Sequence, residues 1–154
     1  MSSCELPRQQ APTTDQARVT PAGSRIHRFQ AGHTWTGIAV QDYKQPAAHH
    51  CGVSRAVLAG EGGEQTQFHV RYFEIAPGGY STLEHHRHEH VVVVLRGQGQ
   101  VCLGATWHEV GFGDTVYVAP HEVHQFRNPS ASEPFGFLCM VDARRDRPVL
   151  VPGS

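Results

Sequence analysis

Histidine is unusually frequent in this chain and is concentrated in one short segment. Twelve of the 154 residues are histidine, several times the share expected of an average protein. Four of them lie in residues 84–90, which read EHHRHEH. Because side chains alternate between the faces of a strand, Glu84, His86, His88 and His90 would share one face if the backbone is extended. Imidazole and carboxylate groups bind divalent transition metals such as iron, manganese, nickel, copper or zinc, so the segment predicts a metal site.

The elements that would position these histidines are short strands. Apolar, β-branched stretches recur along the chain, and glycine or proline lies between almost all of them. These stretches cover residues 54–58, 67–75, 91–95, 100–103, 106–110, 115–118, 124–127 and 135–141. Many short strands without a helix-length amphipathic segment predict an all-β sandwich or barrel, and the absence of an internal repeat favours one barrel. The run Pro77-Gly78-Gly79 is expected to end the second of these strands.

Length and charge limit the class of protein further. A chain of 154 residues is expected to form one domain. The boundaries predicted from the sequence are a flexible tail over residues 1–30, a barrel over residues 31–145 and an exposed tail over residues 146–154. Thirteen basic and fourteen acidic residues leave a net charge of −1, which argues against a nucleic-acid partner. No apolar stretch has the length of a membrane span or a secretory signal, and we expect a cytoplasmic protein.

The histidine cluster and its flanks resemble the first sequence motif of the cupin family, which is usually written G-x5-H-x-H-x3,4-E-x6-G. Gly78-Gly79 leads into the cluster, and the run VVVVLR after it ends at Gly97. Counted against the motif, position 84 corresponds to the first family histidine and position 90 to the family glutamate. This chain has Glu84 and His90 there, so it differs from the motif at both positions.

A later segment resembles the second cupin motif, G-x5-P-x-G-x2-H-x3-N. It runs from Gly113-Asp114 through Pro120, which is shifted by one position, to His124 and Asn128. The resemblance covers about residues 54–141 and implies a small jelly-roll barrel with one divalent metal ion in its mouth. It implies a ligand set from both motifs, namely Glu84, His86, His90 and His124. In the alternative arrangement Glu84 orients a histidine by accepting a hydrogen bond, and His88 is the fourth ligand.

The implied site suggests several functions. Four protein ligands on an octahedral ion leave two positions for substrate or dioxygen, and we expect a metal-dependent oxidoreductase of the dioxygenase type. Its substrate would be a small anionic or phenolic molecule. One alternative is an isomerase, epimerase or lyase in which the ion acts as a Lewis acid, with Glu84, His88 and Tyr80 as candidate acids or bases. Another is a non-catalytic protein that senses a small molecule or a metal.

Four residues on predicted strands are candidates for the lining of a substrate pocket. Phe73, Phe126 and Phe137 would form an apolar wall, although core packing explains such residues equally well. In the small cupins that the chain resembles, a cysteine at the position of Cys139 lies near the metal, so this thiol is either reactive or a buried structural group. The resemblance also implies a homodimer in which residues 31–58 contribute strands to the interface.

Overall fold

The computed structural model describes residues 23–43 and 49–152, and every regular element in these residues is a β-strand. The strands are β1 (Phe29–Gln30), β2 (Thr34–Trp35), β3 (Val40–Asp42), β4 (Cys51–Ala59), β5 (Phe68–Tyr80), β6 (Glu84–His85), β7 (His90–Arg96), β8 (Gln98–Leu103), β9 (Thr106–Gly111), β10 (Thr115–Val118), β11 (His124–Arg127), β12 (Phe135–Asp142) and β13 (Val149–Leu150). The predicted all-β class is confirmed. Residues 1–22 of the predicted tail lie outside the described part. The described residues contain no helical segment that would traverse a lipid bilayer.

Eleven strands form one strongly curled antiparallel sheet, which gives the half-barrel shape of a cupin. Its main path runs β10-β7-β12-β5-β11-β6-β13. Strands β4 and β3 extend it beside β5, and β8 and β9 extend it beside β11. Strand β5 is central, because it pairs with β12 over eight residues and also with β4 and β11. The sheet therefore brings β6, β7 and β11, which carry the histidine motifs, to one end of the barrel.

Strand β5 continues through Pro77-Gly78-Gly79 to Tyr80, although this run was expected to end it. Gly78 has a φ of 73°, a left-handed conformation that glycine adopts at little cost. Its amide donates to the carbonyl of Asn128 at 3.0 Å, and the amide of Asn128 donates to the carbonyl of Gly79 at 2.9 Å. The glycines thus bend the strand. Beyond the bend, backbone hydrogen bonds to Asn128 keep the strand paired.

The core lies inside the curled sheet and is built from alternating residues of several strands. In β7, Val92 and Val94 are fully buried whereas Val91 is exposed. The other buried core residues, from β4, β5, β8, β10, β11 and β12, are Val53, Phe73, Ile75, Val101, Val116, Val118, Phe126, Phe135, Phe137, Cys139 and Val141. Each buried valine or phenylalanine contributes about 1.5–3 kcal/mol of transfer free energy. This period of two aims the side chain of His90, two residues before Val92, into the same interior.

A short hairpin of β1 and β2 packs on the outside of the main sheet. The rings of Phe29 and Trp35 contact each other at 5.3 Å between centroids, and Trp35 lies 5.0 Å from Tyr72 of β5. The hydroxyl of Tyr72 donates a hydrogen bond to Glu74 at 2.8 Å. Strand β1 (Phe29–Gln30) therefore lies inside residues 1–30, which the sequence predicted as a tail.

The C-terminal segment folds back over the mouth of the barrel. Strand β13 pairs with β6, with Leu150 opposite Glu84 and Val149 opposite His85. The side chains of Val149 and Leu150 are exposed, and the edge of β6 offers backbone groups that β13 satisfies. Residues 145–148 are consequently held beside the histidine cluster.

Candidate metal centre

Three histidines converge at the open end of the barrel. His86 directly follows β6, His90 begins β7 and His124 begins β11. Their ligand nitrogens all lie within 4.8 Å of one another, and the Nε2 atoms of His86 and His90 are 2.8 Å apart. His86 and His124 are buried, and His90 is half-buried. Segments distant in sequence therefore present three imidazoles to one point.

The other ring nitrogen of each histidine is tethered on the far side of the ring. His86 Nδ1 donates to the carbonyl of His88 at 2.7 Å, and His124 Nδ1 donates to the carbonyl of Glu122 at 2.9 Å. A carbonyl oxygen only accepts, so both rings carry their proton on Nδ1 and present the Nε2 lone pair to the centre. His90 Nδ1 lies 3.3 Å from Cys139 Sγ. These contacts orient the rings as metal ligands require.

The surroundings keep all three rings neutral. Burial, followed by the charges of neighbouring histidines, lowers the pKa of His86 to about 4. The same causes lower the pKa of His90 to about 2. Burial also lowers the pKa of His124, against the opposing effects of the Glu122 carbonyl and the Glu84 carboxylate. Three neutral imidazoles that converge through Nε2 fit a divalent transition-metal ion. The structure therefore contains a three-histidine cluster that could hold a metal, and the ligand set implied by the sequence stays a prediction.

Glu84 lies beside this cluster. It is the backbone partner of His124 in the pairing of β6 with β11, and its side chain lines the same cavity as His90 and His124. The cluster of converging ligand atoms consists of the three histidines and does not include Glu84. Its assignment as the fourth ligand stays a prediction.

His88 occupies a bend in the backbone. The extended conformation assumed for residues 84–90 is interrupted at Arg87 and His88, yet the ring of His88 stacks on that of His86 with centroids 3.6 Å apart and planes 5° apart. His88 Nδ1 lies 2.8 Å from Asp146 Oδ1. Its side chain lines the cavity next to the cluster without belonging to it.

One cavity of about 110 Å³ is lined by His90 and His124 of the cluster and by His88. All four residues proposed as pocket lining, Phe73, Phe126, Phe137 and Cys139, are on its wall. The structure places Tyr80 elsewhere, in a surface depression with Gly78, Gly79 and Asn128. The role of Tyr80 as a candidate acid or base stays a prediction.

Sequence reasoning missed three charged residues that line the same cavity. Arg71 comes from β5, and Arg145 and Asp146 come from the segment between β12 and β13. The sequence offered a sign that Arg71 has a role in the interior, because it is an isolated arginine within an apolar strand. It offered no such sign for Arg145 and Asp146, because they lie in a polar run that is typical of an exposed tail.

The barrel defines a small cupin whose three clustered histidines could hold a metal ion, and the comparisons with known proteins agree on the family. The family profile described as the cupin domain matches residues 71–141. A protein of Rhodospirillum rubrum named 1-methylthio-D-xylulose 5-phosphate methylsulfurylase is 42% identical over 123 residues, which are 79% of this chain and 77% of that protein. The chain belongs to the cupin family.

Solved structures show the same relationship. A cupin 2 conserved barrel domain protein from Rhodopseudomonas palustris superposes with a TM-score of 0.75 at 43% identity, over 82% of this chain and 86% of that one. A polyketide cyclase from Streptomyces resistomycificus shares the fold with a TM-score of 0.72 at 23% identity, over 86% of this chain and 88% of that one. At that level of identity, the second likeness shows the shared fold alone.

Proposed function

We propose that the protein is a metal-dependent enzyme that removes the methylthio group from a methylthio-substituted ketose phosphate, the substrate class named for its Rhodospirillum rubrum relative. The observation that carries the proposal is the shared cavity. His90 and His124 of the cluster line the same cavity as Arg71 and Arg145. The cavity therefore has a candidate metal centre and positive charge on its wall. A substrate with a carbonyl and a phosphate requires both.

The chemistry implied by such a substrate is a group transfer. Loss of the methylthio group to an external thiol forms a sulfur–sulfur bond and replaces the carbon–sulfur bond at C1 with a carbon–hydrogen bond. Carbon gains two electrons and the two sulfurs together lose two, so the exchange balances with one thiol as co-substrate. A divalent ion held by His86, His90 and His124 would supply Lewis-acid polarisation of the neighbouring C2 carbonyl.

The residues around the cluster provide a proton carrier and an enclosure. His88 has its Nδ1 anchored by Asp146, which leaves Nε2 as the nitrogen available to a substrate. Phe73, Phe126 and Phe137 form an apolar wall that excludes water from the reacting carbon. Burial raises the pKa of the Cys139 thiol, so this group holds its proton beside His90.

The test is an assay with defined substrate and metal. The purified protein, loaded in turn with manganese, iron, nickel, copper or zinc, is incubated with 1-methylthio-D-xylulose 5-phosphate and a small thiol. Mass spectrometry should detect the mixed methyl disulfide and a ketose phosphate that lacks the methylthio group. His86→Ala should abolish both products, whereas His108→Ala, an exposed position on β9, should not. Unchanged substrate with every metal would refute the proposal.

Dioxygenase chemistry on a small anionic or phenolic molecule is the second candidate. The observation that favours it is Glu84, whose carboxylate lines the cavity beside the three histidines and would complete a ligand set suited to iron. An oxygen electrode in the same assay separates the two functions, because methylthio transfer needs no dioxygen. Rearrangement of the ketose with the methylthio group retained would instead indicate the isomerase predicted as an alternative.

A further inference from the structure

We propose that Arg71 and Arg145 form a binding site for the phosphate monoester of the substrate, at the side of the cavity away from the histidine nitrogens. The identity of the substrate that carries this phosphate rests on the proposed function. The anion site itself is argued from the two arginines and their surroundings.

Arg71 is a buried cation without a carboxylate partner. Its side chain is 5% exposed, and its Nε atom is buried with no hydrogen-bond partner among the described residues. The guanidinium donates to Cys139 Sγ at 3.3 Å and lies over the ring of Phe73, 5.0 Å from its centroid. Within the described ranges no carboxylate forms an ion pair with it. A buried charge without a counter-ion is costly, so a ligand that supplies negative charge would offset the cost.

Arg145 brings a second positive charge to the same cavity from the C-terminal segment. Its Nη1 lies 3.1 Å from His69 Nδ1 and donates to the carbonyl of Asp142 at 3.4 Å. Its Nη2 is 3.8 Å from Glu61, a distant contact with a half-exposed carboxylate. Burial, and then the like charge of Arg71, lowers the pKa of Arg145, and two positive charges that line one cavity disfavour each other. An anion bound between them would replace repulsion with attraction.

Cys139 lies between Arg71 and His90 of the candidate metal centre. Its sulfur lies 3.3 Å from Arg71 Nη2 on one side and 3.3 Å from His90 Nδ1 on the other. His90 Nε2, across the ring, belongs to the histidine cluster. One sulfur atom and one imidazole therefore separate the guanidinium of Arg71 from the cluster. A short carbon chain with a carbonyl at one end and an anionic group at the other matches that separation.

Phosphate suits this pair better than a carboxylate does. Two guanidinium groups offer many N–H donors in planar forks, and a phosphate monoester presents three acceptor oxygens with nearly two negative charges at neutral pH. A carboxylate offers two oxygens and a single charge. Asp146, a carboxylate that lines the cavity, is engaged by the ring of His88 and by the amides of Arg87 and His88.

The experiment measures binding without turnover. Inorganic phosphate is titrated by calorimetry into the full chain, both metal-loaded and after chelator treatment, with acetate as the carboxylate probe. Phosphate should bind more tightly than acetate, and the affinity should survive metal removal. Arg71→Gln should weaken phosphate binding by about tenfold or more and Arg71→Lys by less. Arg145→Gln should also weaken it, and Arg144→Gln, an exposed neighbour of equal charge, should not.

Each outcome decides the proposal. Equal phosphate affinity in Arg71→Gln, Arg145→Gln and the unaltered chain would overturn it, as would phosphate binding that disappears when the metal is removed. Tighter binding of acetate would overturn the phosphate assignment. Melting curves without phosphate show whether Arg71→Gln is folded, and if it is not, the half-exposed Arg145→Gln decides. Phosphate binding that depends on the arginines, without any methylthio release, would refute the proposed function and leave the anion site standing.

Discussion

Asp146 holds the imidazole of His88 in place across 58 residues of sequence. Its Oδ1 lies 2.8 Å from His88 Nδ1 and accepts from the His88 amide at 3.2 Å, while its Oδ2 accepts from the Arg87 amide at 2.9 Å. These hydrogen bonds, the Arg87 amide first, hold the pKa of the Asp146 carboxyl well below its usual range. The C-terminal segment thus fixes the ring that stacks on His86.

Removing this carboxylate should affect turnover more than metal content. In Asp146→Ala, His88 loses the acceptor that sets its tautomer and orientation, so kcat should fall by about 10- to 100-fold, with KM changing less. Metal content by elemental analysis should stay near that of the unaltered chain, because the hydrogen bonds of Asp146 among the described residues go to Arg87 and His88 rather than to the three clustered histidines. Asp146→Asn retains an acceptor oxygen and should restore part of the rate. A rate unaffected by Asp146→Ala would contradict this role for the carboxylate.

Each histidine of the cluster should be necessary for tight metal binding. His86→Ala, His90→Ala and His124→Ala each remove one of the converging nitrogens, and metal content after dialysis against a competing chelator should fall sharply. Exposed His108, replaced by alanine, is the matched control. Glu84→Ala tests the predicted fourth ligand and should weaken metal retention. Full metal occupancy in Glu84→Ala would show that the carboxylate is not a ligand.

Alkaline pH should destabilise the protein through Tyr72. Burial, and then the hydrogen bond to Glu74, raises the pKa of the Tyr72 phenol well above its usual value. The folded chain therefore keeps a proton that the unfolded chain releases near pH 10. Stability from this group is complete below about pH 10 and decreases as the pH rises further.

Urea unfolding at a series of pH values from 8 to about 11 measures this effect, the upper limit lying just above the reference tyrosine pKa. The slope of stability against pH above 10 should become shallower in Tyr72→Phe. Identical slopes in Tyr72→Phe and the unaltered chain would show that the phenol ionises equally in both states.

The chain should form a homodimer through its N-terminal strands. Phe29 on β1 and Val40 on β3 are both more than half exposed in the single chain, and their burial against a second copy would be favourable. Light scattering coupled to size exclusion should give twice the mass of the chain. Val40→Glu should favour the monomer, whereas Phe112→Glu, at an exposed turn outside these strands, should not. A monomer at all concentrations would contradict the prediction.

The strands of the barrel were predictable because their signal is local. Alternating apolar residues bounded by glycine or proline located β4, β5 and β7 to β12, since a period of two and a turn propensity depend only on neighbouring residues. The two-residue strands β1, β2, β6 and β13 have too few residues to show a period. They exist because partners elsewhere in the chain satisfy their backbone groups.

The sequence by itself determined the family, the all-β class and the three histidines, because these depend on residue types at fixed spacing. It did not reveal the charges that share their cavity. Arg71 meets Cys139 across 68 residues, and His88 meets Asp146 across 58. Contacts of that range form only when strand register and the return of the chain through β13 bring the groups together. The tertiary structure alone therefore decided that the histidine cluster opens toward two arginines.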